Sequence, residues 1–444
     1  MTVFSRNIKY IRMISRMWPS YLIFWGGGIG IAIAATILAK GGEYAYLAIH
    51  RLIDTSPFIP IFLAPCGFAL CAWLTRRFFP GIQGSGIPQT IAALQLENPE
   101  ERKVLLSLRI AFSKMFITLL GLFSGASIGR EGPTVQIGSS IMYAMGGWMK
   151  IRQRTLEKAL ILAGGAAGIA AAFNTPLAGV VFAIEELSRN FEERTSGTVI
   201  TAIIIAGITS LALMGNYSYF GHTAAALNTP RDWVAVPFCG IIGGLLGGIY
   251  SRTLLIAAKG LPGKFGDFMR EKPVRFALVC GIAIGIIGFL SHNSTYCTGY
   301  NEARTIVEGK GVMPASFGIL KMLASIISYV SGIPGGIFSP SLAVGAGFGA
   351  NLAQIIPYAP PAAIIMLGMA AYFAGVVQAP ITVFVIVTEM TDNHNMAIPL
   401  MAVSLIATAT SKMICREPIY KALSERFIQK QTKPAAVDIT SEMG

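Results

Sequence analysis

Three short segments carry residue types whose spacing can do chemistry: Gly84-Ser85-Gly86-Ile87-Pro88, Gly129-Arg130-Glu131-Gly132-Pro133 and Gly335-Gly336-Ile337-Phe338-Ser339-Pro340. Each runs from glycine through proline into a helix-compatible stretch, Gln89–Leu96, Thr134–Met145 and Ser341–Ile355 respectively. Proline after a Gly-rich turn predicts the first helical position, where its missing N–H is no loss. The glycines allow backbone N–H groups to come close to a ligand. A helix start carries about half a positive charge and unpaired N–H donors, and together these bind anions. Any one such segment alone reads better as a helix start beside a tight packing contact. Three in one chain point to an anion site.

The elements that must position these segments are membrane helices. The chain has 444 residues, of which 53% are hydrophobic and 13% charged, against roughly 25% charged in soluble domains. Its mean hydropathy is +0.61. Apolar stretches recur at Tyr21–Ala39, Phe58–Leu74, Ala159–Ile184, Val199–Met214, Val234–Tyr250, Phe276–Leu290, Ala362–Val387 and Met396–Thr410. Several approach the ~20 residues that span a bilayer, and others are short or broken by Gly and Pro. Inside a membrane, interrupted helices whose starts face an anion bind it without a full buried cation, which would hold it too tightly for rapid passage.

Arg6, Lys9, Arg12 and Arg16 precede the first stretch, which is longer than a signal-peptide core of roughly 7–15 residues and reads as a retained span. By the positive-inside rule these cations place the N-terminus in the cytoplasm. Arg76–Arg77, the Lys150/Arg152/Arg154 cluster and the tail cations Lys421, Arg426, Lys430 and Lys433 fall on the same side. This distribution accounts for much of the +13 net charge without nucleic acid. The six cysteines and four histidines are dispersed, with neither a CxxC pair nor an HExxH segment, so neither a metal nor another cofactor is expected. An intramembrane hydrolase would need a Ser–His pair, paired aspartates or a zinc motif in the spans, and no enzyme is read here.

The chain also repeats itself. Ser124-Gly125, Gly129, Pro133 and Gly138 recur 207 positions later as Ser331-Gly332, Gly336, Pro340 and Gly345. Gly164, Ala166, Ala167, Pro176 and Glu185 recur 204 positions later as Gly368, Ala370, Ala371, Pro380 and Glu389. Two ordered blocks imply a duplication. We read a basic cytoplasmic segment over 1–18, repeats over 19–220 and 221–430, and a short cytoplasmic tail over 431–444. Relative orientation of the repeats is not legible at this level. Glu185 matches Glu389 and reads as shared architecture, capping or pairing. Glu131 falls opposite Phe338 and Glu186 opposite Met390, so these acids belong to one half only.

At these residues the sequence resembles the CLC family of chloride channels and chloride/proton antiporters. The family's pore signatures GSGIP, GREGP and GxFxP appear here as Gly84–Pro88, Gly129–Pro133 and Gly336–Pro340, and Arg416-Glu417-Pro418-Ile419-Tyr420 resembles its terminal tyrosine motif. The resemblance implies an all-α polytopic membrane protein of two inverted repeats, whose broken helices meet with their N-termini at an anion pore. It implies a homodimer with one pore per subunit, exchanging chloride for protons across a lipid bilayer. Carried over, Ser85 and Tyr420 offer hydroxyls to a central chloride, and the N–H groups of Ile337 and Phe338 complete that site. Gly84, Gly86, Gly129, Arg130, Gly132 and Gly336 supply the pore backbone. Glu131 is the gate, a carboxylate that occupies an outer chloride position until protonated, and Glu186 is the internal proton glutamate.

Blander readings stand beside these. Arg130 braces its loop, Tyr420 is an interfacial tyrosine, and Glu186 pairs with Arg189. Lys114, inside an apolar run, neutralises a buried acid or adds positive field to the pore. Family transporters often carry acids after GSGIP, where this chain has Gln89-Thr90-Ile91. The runner-up to an antiporter is a passive gated chloride channel of the same fold, against which Glu186 speaks. Lack of a cytoplasmic regulatory domain leans towards a prokaryotic plasma membrane.

Overall fold

The computed structural model describes residues 3–151, 153–187, 193–215 and 218–432. They form helices joined by turns and by longer irregular segments such as 218–231, and no strand occurs among them. Eight helices are long and apolar enough to cross a membrane among the described residues, including Leu22–Thr55, Pro99–Phe123, Asp232–Lys259 and His394–Ile414. Their outward faces are apolar. Ile29, Ile33 and Ile37 are exposed at four-residue spacing, as are Phe112 and Phe116 and Ile282 and Ile286. Residues four apart lie on one helix face, so these stripes are the surface a lipid tail would wet. The side chains of Arg6, Lys9, Arg12, Arg16 and Lys430, and the residues Arg152, Arg189 and Lys433, lie outside what the structure describes.

The duplication is visible helix by helix. Glu131–Trp148 and Phe338–Ile355 have the same length at the 207-residue offset. Arg154–Phe173 and Pro361–Val377 both end on a left-handed residue, Asn174 and Gln378, after which Pro176 and Pro380 open the next helices. The long apolar stretches 159–184 and 362–387 are therefore each broken at that left-handed residue. A β-carbon at Gly138 would collide with the Gly164 carbonyl, and one at Gly164 with that of Gly138. Gly345 and Gly368 repeat this close crossing in the second half. Such small-residue contacts let helix backbones pack without a hydrophobic driving force between them.

Equivalent residues also bond across the halves reciprocally, the mark of a local two-fold axis. Glu185 accepts the N–H groups of Ile381 (3.1 Å) and Thr382 (2.6 Å) at the start of Pro380–Thr391. Glu389 accepts those of Leu177 (3.3 Å) and Ala178 (2.7 Å) at the start of Pro176–Phe182. Each acid caps the partner half's helix, satisfying donors that no helix carbonyl reaches. The capping alternative read from the repeat is what the structure shows for this pair.

Candidate anion site

The three Gly-rich segments meet at the two-fold. Gly129 and Gly336, repeat equivalents, exchange both backbone hydrogen bonds, at 2.6 and 2.7 Å. The Gly84 N–H donates to the Ile333 carbonyl (3.2 Å), and Gly335 N–H donates back to Gly84 (3.0 Å). A β-carbon at Gly132 would collide with the Ser85 hydroxyl, and one at Gly336 would lie 3.2 Å from the Gly132 nitrogen. Gly86, at φ +112°, opens Ile87–Gln95 in a conformation that L side chains rarely adopt, and its α-hydrogen faces the Gly132 carbonyl. The helix starts thus converge because each glycine lets another backbone in.

One expectation needs correcting. The prolines do not take the first helical position. The helices begin earlier, at Ile87, Glu131 and Phe338, leaving Pro88 second and Pro133 and Pro340 third. The physical reason is that none of the first N–H groups of a helix has an intrahelical partner, so proline costs no bond at any of these positions. The shift makes Glu131 and Phe338 the opening residues of their helices, with Arg130 and Ile337 as the residues before them.

Ser85 and Tyr420 are both 1% exposed, and neither hydroxyl has a protein hydrogen-bond partner. Other buried hydroxyls share this state, Thr90 and Ser341 among them, so what sets Ser85 apart is its place in the first Gly-rich segment. Ile337 and Phe338 add N–H groups at the helix start. The Phe338 ring packs on Phe373 (4.2 Å between centroids) and Phe173 (5.0 Å), which keeps that turn rigid and dry. Tyr420 is the second residue of Ile419–Thr432, which packs against Ile87–Gln95. Removing the hydroxyl and ring in Tyr420→Ala lowers chloride affinity about tenfold, as one charge-assisted hydrogen bond warrants; calorimetry showing parental affinity would remove Tyr420 from the site.

Glu131 is fully buried. Its carboxylate accepts the Ser339 hydroxyl (2.5 Å), the Tyr219 hydroxyl (3.2 Å) and, more weakly, the Ser339 N–H (3.4 Å) at the start of the Phe338 helix. The Glu131 carboxyl group thus lies at the start of the Phe338 helix. Arg130 Nε lies 3.9 Å from the same carboxylate. Arg130 also bonds the Ala39 carbonyl (2.6 Å) and stacks over Tyr219 at 5.8 Å, so it braces the loop as well as adding charge.

Lys114 is resolved in favour of neither acid nor open pore. Its buried ammonium donates to the carbonyls of Ile82 (2.7 Å) and Gly84 (2.6 Å), tying down the turn that presents Ser85. Gln89, where family members often carry acids, accepts the Gly86 N–H (3.1 Å) and donates to Gln83 (2.6 Å) and Gly81 (3.2 Å). Lys321, 207 positions after Lys114, holds the carbonyls of Thr295 (2.9 Å) and Cys297 (2.8 Å) the same way. Sequence reasoning passed over Lys321, Ser339 and Tyr219. The 207-residue offset would have found Lys321, and Ser339 lies inside the third Gly–Pro segment; no local signal marks Tyr219.

Glu186 sits on a π-helical turn, Ala183–Leu187, and half-buried lines a cavity of about 1150 Å³. Such turns are rare and cluster at functional sites. Here the wider winding lets adjacent acids part, Glu185 capping the Pro380 helix while Glu186 faces the cavity. Arg154, Lys158, Lys412 and Lys421 also line it, four cations against two carboxylates, which favours anion entry. At its mouth Arg154 bonds Glu97 (2.6 Å) and holds that carboxyl below its ordinary range.

A multi-pass helical protein with an anion-binding focus at crossed helix starts is a membrane transporter or channel for anions. The chain belongs to the CLC family: the family model described as voltage gated chloride channel matches residues 67–412. Among solved structures it is similar to a slow cyanobacterial Cl⁻/H⁺ antiporter, at 26% identity and TM-score 0.79, over 93% of this chain and 99% of that one. It is also similar in fold to a CLC-type fluoride/proton antiporter (22% identity, TM-score 0.74, 90% and 96% covered) and to a eukaryotic CLC transporter (21%, 0.76, 92% and 74%). The fold is therefore the inverted-repeat CLC architecture.

Proposed function

We propose that this protein exchanges chloride for protons, with the Glu131 carboxylate competing with chloride for one position. The observation that carries the reading is that carboxylate itself, buried and held by donors at the start of the Phe338 helix. When ionised it blocks the position; when protonated it has no claim on donors that favour an anion and gives way to chloride. Competition for one place couples the two ions directly. Ser85, Tyr420 and the N–H groups of Ile337 and Phe338 hold the central chloride, and Gly84, Gly86, Gly129, Gly132 and Gly336 keep the backbone close enough to do so. Glu186, facing the cationic cavity, passes protons between the cytoplasm and Glu131. The working unit is a homodimer with one pore per subunit, each pore formed between the halves 19–220 and 221–430. It lies in the plasma membrane with both termini cytoplasmic, as their cations favour.

The test is Glu186→Ala in liposomes. Chloride flux continues while chloride-driven proton movement falls below detection. Coupled proton flux in that variant would remove Glu186 from the route, and chloride flux uncoupled from protons in the parent would make the protein a passive gated channel.

A further inference from the structure

Two hydroxyls, those of Ser339 and Tyr219, converge on the Glu131 carboxylate. Ser339 is 1% exposed and Tyr219 1% exposed, and their oxygens lie 3.3 Å apart with the Glu131 carboxylate between their reach. Tyr219 is held in place by Phe173 (5.4 Å between centroids), Phe220 (5.0 Å) and Tyr300 (4.6 Å). Ser339 is not shared scaffold, because its equivalent 207 positions earlier is Gly132. Neither residue is one of the glycines or prolines that the turn needs for its shape.

From this geometry we infer that Ser339 and Tyr219 are positioning residues that hold the ionised gate shut and set the acidity at which it opens. The inference rests on the gate reading of Glu131. A hydroxyl donating to a carboxylate stabilises the charged form over the neutral one. The Ser339 contact is the shorter and stronger of the two, and bonds to charged groups are about twice as strong as neutral ones. Among the described residues, Arg130 lies beside the carboxylate, Phe173 and Tyr300 pack on Tyr219, and Tyr420 approaches from the terminal helix that packs on Ile87–Gln95. Removing a hydroxyl leaves that field in place and makes the carboxylate easier to protonate. The gate then opens under less acid conditions.

The experiment measures chloride flux from liposomes against external pH for the parent, Ser339→Ala, Tyr219→Phe and Glu131→Gln. Ser339→Ala moves the half-maximal pH upward by about one unit, the size expected for one bond to an ionised group. Tyr219→Phe moves it the same way by less. Glu131→Gln has no acid limb, and adding Ser339→Ala to it changes nothing. If Ser339→Ala keeps the parental profile while Glu131→Gln loses pH dependence, the gate stands and the inference falls. A Ser339→Ala shift that persists on the Glu131→Gln background also overturns it, by placing the hydroxyl's effect elsewhere. Should Glu131→Gln itself keep the parental profile, the gate reading is what fails.

Discussion

Glu131→Ala protein reconstituted in liposomes carries chloride and moves no protons with it. The substitution removes the carboxylate that competes for the start of the Phe338 helix, and nothing else at that position can take up a proton and withdraw. The donors it leaves behind, the Ser339 hydroxyl and N–H and the Tyr219 hydroxyl, favour an anion, so chloride takes the vacated position. The central site loses none of its proposed ligands. Chloride and pH electrodes read in the same vesicles check this directly. Coupled proton flux persisting in Glu131→Ala would take the gate away from this residue.

Lys114→Met weakens chloride binding tenfold or more, whereas Lys321→Met does not. Methionine keeps most of the stem's volume but withdraws the ammonium from the Ile82 and Gly84 carbonyls. Gly84 retains the Gly335 N–H, whereas the Ile82 carbonyl becomes a buried acceptor without its ammonium, a loss of about 1–3 kcal/mol. The turn carrying Ser85 loosens. Lys321 makes the equivalent clamp on Thr295–Cys297, away from Ser85. Its loss therefore costs comparable stability and spares the ion. Calorimetric chloride titration separates the two variants. Equal affinities in Lys114→Met and the parent would show that Gln89 holds the turn unaided.

What could be read from residues alone follows a physical divide. The Gly–Pro segments were legible because backbone approach and helix starts restrict residue type strongly, and the duplication because those restrictions act twice. The pairing of Glu185 and Glu389 was legible for the same reason, though that they cap each other's helices needed coordinates. Helices Leu108–Phe123 and Phe317–Val330 were not among the apolar stretches, since Lys114 and Lys321 interrupt their hydropathy. Those lysines bind main-chain carbonyls, and such acceptors leave no trace in side-chain identity. Ser339 and Tyr219 reach Glu131 from 208 and 88 residues away, a relation that only tertiary packing creates.

The account stands or falls on coupling. Vesicles loaded with chloride, diluted into low-chloride medium at equal pH, should show protons moving into the lumen against the gradient they themselves build, as chloride leaves. Chloride efflux with no proton movement beyond that of protein-free vesicles would contradict exchange, and would leave a chloride-conducting pore with Glu131 and Glu186 as fixed parts of its wall.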